Sequence, residues 1–113
     1  MICLDNSYKV INKKIISSES SDNVAIDIKN CVQFALQTKA SKVIMVHNHP
    51  TSGPEPSKND LETTKRMFIG FESSGIELHD HVIVNYNEEL YSFSNSGLIK
   101  NFKDEYLDML KVK

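Results

Sequence analysis

Between Asp27 and Ser74 the hydrophobic pattern changes period twice, and this limits what the chain can fold into more than any other feature. Ile28, Cys31, Val32, Ala35 and Leu36 fall at i, i+3, i+4, i+7 and i+8, one face of a helix that Asp27 or an earlier Asp can cap. Lys42 to Val46 then reads Lys-Val-Ile-Met-Val, a short β-rich run of the kind found in a central buried strand. Pro50, Gly53, Pro54 and Pro56 bar regular structure until Ser57. Ser57-Lys58-Asn59-Asp60 has the form of a helix start, with Ser57 at the N-cap and an acidic side chain three residues on. Leu61, Thr64, Phe68 and Phe71 continue one face of that helix, which ends near Ser73-Ser74-Gly75. Helix, buried strand, helix within about fifty residues points to an α/β domain.

The flanks supply more strands. Ile2–Leu4 and Tyr8–Ile16 read as two strands joined at Asp5-Asn6-Ser7, and residues 17–23 as a polar loop. Ile76–Asn85 and Tyr91–Phe93 read as two further strands separated by the turn Asn85-Tyr86-Asn87-Glu88, and Ser96-Gly97 closes the sheet. Leu98–Lys113 reads as an amphipathic helix with Ile99, Phe102, Tyr106, Met109 and Leu110 on one side, expected to pack on its own domain. The expected architecture is a mixed β-sheet flanked by helices.

With 113 residues there is room for one core. A net charge of −2 gives no basic field for nucleic acid. The lysine clusters at Lys9, Lys13 and Lys14 and at Lys58, Lys65 and Arg66 are interleaved with acids and read as solvated faces. No run approaches the roughly 20 apolar residues of a membrane helix, and Asp5 interrupts the N-terminal apolar residues too early for a signal peptide. Cys3 and Cys31 are expected to be buried thiols of a cytoplasmic protein.

The chemistry concentrates at His47-Asn48-His49-Pro50, with Asp60 eleven positions past the second histidine. Histidines at i and i+2 of an extended segment share a face, and a carboxylate from the start of the next helix can complete a three-ligand site. Two imidazoles and one carboxylate suit a first-row metal, Zn2+ above all, with an open fourth position for water. His79, Asp80 and His81 form a second polar cluster. Alternation assigns His79 and His81 to one face and Asp80 to the other. The cluster is read either as a core histidine satisfied by backbone or as a residue orienting a metal ligand.

His47-Asn48-His49-Pro50-Thr51-Ser52-Gly53 followed by Pro56-Ser57-Lys58-Asn59-Asp60 resembles the JAMM (MPN+, JAB) metalloprotease motif of the RadC family. Leu78-His79-Asp80-His81-Val82-Ile83 resembles the family's Leu-Asp-His-hydrophobic segment. Tyr91-Ser92-Phe93 with Gly97-Leu98 resembles its closing strand, and Leu4-Asp5-Asn6-Ser7 with Val10-Ile11 its opening. The resemblance covers residues 3 to 99, so residues 1–99 are expected to form the domain and 100–113 a helical extension.

The resemblance implies a cytidine-deaminase-like fold, His47, His49 and Asp60 as zinc ligands, and Ser57 as support for the oxygen of a tetrahedral intermediate. It implies hydrolysis of a peptide or isopeptide bond in a peptide or protein substrate, with a glutamate before the motif as general base. Aligned by its Ala35-Leu36 end, the first helix carries Lys29 and Asn30 where the family has Arg-Glu, and an asparagine amide cannot serve as a base. Asp27, in an Asp27-Ile28-Lys29 run, is the substitute candidate, with a helix cap or surface carboxylate as the reading preferred for it, and Glu19 is a poorer candidate. Three further departures are Thr51-Ser52-Gly53 in place of Ser-Gly, a sequence that starts at its first strand, and residues past about 100 that run beyond the usual family end. Full-length members carry an N-terminal helical domain, so the family's DNA-repair association is not expected to transfer and nucleic acid is not an expected partner. A homodimer through the terminal helix is the other arrangement considered. The competing functional readings are a metal-binding interaction module that has lost its base and a DNA-repair accessory domain.

Overall fold

A computed structural model of the chain describes residues 1–16, 26–50 and 52–111. The polar loop read at 17–23, Glu19 within it, Thr51 of the histidine motif and the last two residues of the terminal helix lie outside the described residues.

Five strands and three helices follow one another as β1 (Ile2–Leu4), β2 (Val10–Lys13), α1 (Ile28–Gln37), β3 (Lys42–His49), α2 (Lys58–Ser73), β4 (Glu77–Asn85), β5 (Leu90–Ser92) and α3 (Leu98–Met109). The sheet order is β2-β1-β3-β4-β5. β3 and β4 run parallel and every other pair is antiparallel, so the sheet is mixed, as expected. The parallel pair arises because α2 returns the chain to the edge at which β3 began.

Two of the three helices, α1 and α2, start where the sequence supplies a side-chain acceptor for their first free amides, and α3 starts at Gly97 with no such cap. The Asp27 carboxylate accepts from Asn30 N at the start of α1. Ser57 and Asp60 form a reciprocal capping box at the start of α2. Gly75, at φ 79°, turns the chain out of α2, a left-handed conformation that glycine adopts without strain. Buried residues of all three helices join Cys3, Val43, Met45, Leu78 and Ile83 of the sheet in one core cluster. Cys3 and Cys31 are both buried free thiols. No helix among the described residues is long and apolar enough to cross a membrane.

Several boundaries differ from the sequence reading. β2 is confined to Val10–Lys13 because Tyr8, at φ 64°, belongs to the turn, where the Asp5 carboxylate accepts from Ser7 N and Lys9 N. β3 runs on through His49, its last residues paired with Val84 and Asn85, so both histidines stand on the strand itself. Leu36 is 52% exposed and does not extend the buried stripe of α1. On α3, Ile99, Phe102 and Tyr106 pack against the core while Met109 and Leu110 stay exposed. Phe102 and Tyr106 each lie 6.2 Å from the Phe68 ring, so the terminal helix docks on its own domain.

β4 breaks alternation. Val43 pairs with Leu78 but Ile44 pairs with Asp80, so His79 is an extra residue in the ladder, a β-bulge. The expected sharing of one face by His79 and His81 is thereby corrected. His79 turns to the Glu77 carboxylate at 3.1 Å and to the Tyr8 ring, whereas His81 is buried.

Candidate metal centre

The loop between β3 and α2 folds the start of α2 back over the end of the strand. This brings His47, His49 and Asp60 together, and one donor atom from each lies within 4.8 Å of the others. Asp60 Oδ2 is 2.9 Å from His49 Nε2, and Asp60 Oδ1 is 3.6 Å from His47 Nδ1. The two imidazole centroids are 4.7 Å apart at 85°. A cation bound tetrahedrally about 2.1 Å from each donor needs donors ~3.4 Å apart, and the two nitrogen-to-carboxylate spacings, made to different Asp60 oxygens, fall on either side of that value.

The hydrogen-bond inventory of His49 tests whether the residues suit a metal. Its Nδ1 is 3.0 Å from the Gly53 carbonyl, which can only accept, so Nδ1 carries the proton. Its Nε2 faces the Asp60 carboxylate, which also only accepts. In a neutral ring Nε2 is a lone pair, and two lone pairs do not face each other at 2.9 Å without a positive charge between them. Either a second ring proton, making an ion pair with Asp60, or a bound metal ion supplies that charge, and the metal ion does so with the second nitrogen of its ligand already held by a carbonyl.

Asp60 is held by the capping box: Oδ2 accepts from Ser57 N at 2.9 Å, and Ser57 Oγ accepts from Asp60 N at 3.0 Å. Burial alone would raise the Asp60 carboxyl, but the Ser57 hydrogen bonds and the two imidazoles outweigh it and hold the group below its ordinary value. Burial pushes the His47 imidazole down, opposed by the Asp60 carboxylate and assisted by His49. The carboxylate and the neutral imidazole are the forms that bind metals.

Ser57→Ala removes the acceptor of the Asp60 amide. It should cost about 1 kcal/mol of stability, read by urea denaturation, and loosen Asp60.

Ser57 therefore stands beside the donors, bonded to Asp60. Asp27 stands outside the cluster. Its Oδ1 accepts from Asn30 N at 3.1 Å and its Oδ2 from Asn30 Nδ2 at 2.8 Å, on the exposed first turn of α1.

Sequence reasoning left the role of His81 open between two readings. It is 2% exposed and lies parallel to both Phe93, at 4.8 Å, and His47, at 5.8 Å. Its Nδ1 is 2.7 Å from Thr64 Oγ1, so a side chain and not the backbone satisfies it. The available signal was Thr64 itself, a hydroxyl one helical turn after Asp60 on the inward face. Asp80 orients no ligand. It accepts from His81 N, Ser94 N and the Ser92 hydroxyl and so braces the bulge.

Burial lowers His81 to about 4, with His47 adding to the effect. A folded-state pKa below the unfolded value of about 6.5 means that the unfolded chain takes up the proton first as pH falls. Stability linked to His81 is complete above pH ~6.5 and is lost as pH falls toward about 4, by about 3 kcal/mol. Urea melts of chelator-treated protein at pH 7 and 4.5 should show this loss, and His81→Phe should reduce the difference between the two pH values.

A family model described as a RadC-like JAB domain matches residues 1–98. The chain is 38% identical over 97 residues to a UPF0758 protein of Thermotoga maritima, covering 86% of this chain and 43% of that protein. A UPF0758 protein of Ruegeria pomeroyi is also 38% identical, over 96 residues that cover 85% of this chain and 42% of that protein. One from Methanosarcina barkeri is 28% identical over 99 residues, covering 88% of this chain and 43% of that protein. The chain thus spans less than half the length of the curated relatives it matches.

Proposed function

Because this chain belongs to the RadC-like JAB domain family, we propose that it is a zinc-dependent hydrolase domain that cleaves a peptide or isopeptide bond. The observation that carries the proposal is the placement of His49, whose Nδ1 meets a carbonyl and whose Nε2 meets the Asp60 carboxylate. His47, His49 and Asp60 would hold the ion. Bound zinc supplies a Lewis acid and lowers the pKa of water beside it.

The chain's own residues supply the rest. Ser57 Oγ is an acceptor in the capping box, which leaves its hydroxyl proton free to be donated to the carbonyl oxygen of a substrate as negative charge develops there. Gly53 keeps the His49 proton on Nδ1. Asp27 is proposed as the group that would accept a proton from the attacking water and return it to the leaving amine, a role that requires its carboxylate to leave Asn30 and reach the donor cluster from outside it. Two buried free thiols fit a reducing, cytoplasmic setting.

A second reading, a metal-binding interaction module with weak or no hydrolysis, is favoured by one observation: both Asp27 oxygens are engaged by Asn30. Zinc-loaded protein offered a mixture of peptides and isopeptide-linked pairs decides between them. Cleavage that disappears on chelation supports the hydrolase. Full zinc occupancy without cleavage of any member supports the module.

A further inference from the structure

Two of the three donor residues, His47 through its ring and Asp60 through its main-chain carbonyl and the Thr64 hydroxyl, are linked to a single side chain that lies on neither of their elements. We propose that His81 is the positioning residue of the centre. Clamped between Phe93 and His47 and joined through Thr64 to the Asp60 carbonyl, it sets the plane of the His47 ring and fixes that ring relative to the turn of α2 that carries Asp60. The inference rests on the metal-site reading above and adds the means by which the site is pre-shaped.

The β4 bulge makes this possible. With the extra residue at His79, Leu78 and His81 are both buried, and His81 is paired with Met45, two residues before His47 on the neighbouring strand. The His81 and His47 rings are 20° from parallel at 5.8 Å, and Phe93 closes the opposite face at 14° and 4.8 Å. A ring held on both faces turns little, and the neighbour stacked on it turns little in consequence.

Thr64 has one hydroxyl proton. Donated to the Asp60 carbonyl at 2.7 Å, it leaves Oγ1 to accept from His81 Nδ1–H, also at 2.7 Å. The role asks for a flat ring and a donor together. Phenylalanine supplies only the ring, and leucine neither. The geometry needed is the kind that orients ligands from outside the coordination shell, where substitutions cost roughly 10–100-fold in metal affinity.

The test is Zn2+ affinity of the full chain, read by competition with a chromophoric chelator at neutral pH. The wild type, His81→Phe, His81→Leu, Thr64→Ser and Thr64→Val are compared. His81→Leu should bind zinc about 10–100-fold more weakly, and His81→Phe should fall between it and the wild type. Thr64→Val, nearly the same shape without the hydroxyl, should weaken binding, and Thr64→Ser, which restores it, should return affinity to near the wild-type value. This pair keeps the test open should His81→Leu fail to fold. Wild-type affinity in folded His81→Leu, or equal affinities in Thr64→Val and Thr64→Ser, overturns the inference. A wild type that binds no zinc overturns the metal-site reading and this inference with it. A wild type that binds zinc while its variants match it overturns this inference alone.

Discussion

His49→Ala should leave a folded protein that no longer retains stoichiometric zinc. The substitution removes Nε2, the donor nearest the Asp60 carboxylate, and the Nδ1–H bond to Gly53. Structural zinc sites with four protein ligands are worth about 10–16 kcal/mol in apparent binding energy, so one ligand accounts for about 3–4 kcal/mol, or 10²–10³ in affinity. Dialysis against a weak chelator followed by metal quantification should find one zinc per wild-type chain and none in the variant. His49 is the cleaner target because Asp60 also accepts from Ser57 N, so that its removal would damage the start of α2 as well. Circular dichroism should show the sheet intact, since His49 stands at the last paired position of β3. Protons compete with zinc for the imidazoles, so wild-type affinity should fall as pH drops below about 6. Retention of one zinc per chain by His49→Ala would contradict the ligand assignment.

Asp27→Asn should slow hydrolysis about 10²–10⁴-fold while zinc stoichiometry and stability hold, if Asp27 exchanges the proton. The substitution is selective because asparagine caps a helix as well as aspartate does, so α1 keeps its N-terminal acceptor and loses only the carboxylate. Asp27 lies on the first turn of an exposed helix end, and removing its negative charge disturbs no buried pair. The measurement is kcat/KM against the best substrate from the peptide and isopeptide mixture, with zinc content determined on the same samples. An unchanged rate takes the proton-transfer role away from Asp27 and leaves its carboxylate as the cap of α1.

Local signals in the sequence gave the centre more readily than they gave its surroundings. His47 and His49 at i and i+2, and Ser57 with Asp60 at a helix start, are patterns in which residue spacing alone dictates direction, and the donors meet accordingly. The mixed sheet followed from the change in hydrophobic period between α1, β3 and α2.

What escaped depends on contacts distant in sequence. The bulge at His79 leaves no composition signature. His79-Asp80-His81 reads as plain alternation until Ser92 and Ser94, on the far side of a turn, capture Asp80. The burial of His81 follows from that register change. The carbonyl that holds His49 comes from Gly53 backbone, and backbone acceptors cannot be read from side-chain identity. Met109 and Leu110 continue the periodicity of α3 but extend beyond the surface that Phe68 offers to Phe102 and Tyr106. Periodicity indicates which residues share a face and does not say how far the opposing surface reaches.

The most direct test of the centre is crystallographic. Crystals of the wild-type chain grown with zinc should give one anomalous peak at the zinc absorption edge, lying about 2.0–2.2 Å from a nitrogen of His47, from His49 Nε2 and from an oxygen of Asp60. A peak elsewhere, or zinc-saturated crystals in which the three side chains point apart with no ion between them, would contradict the account.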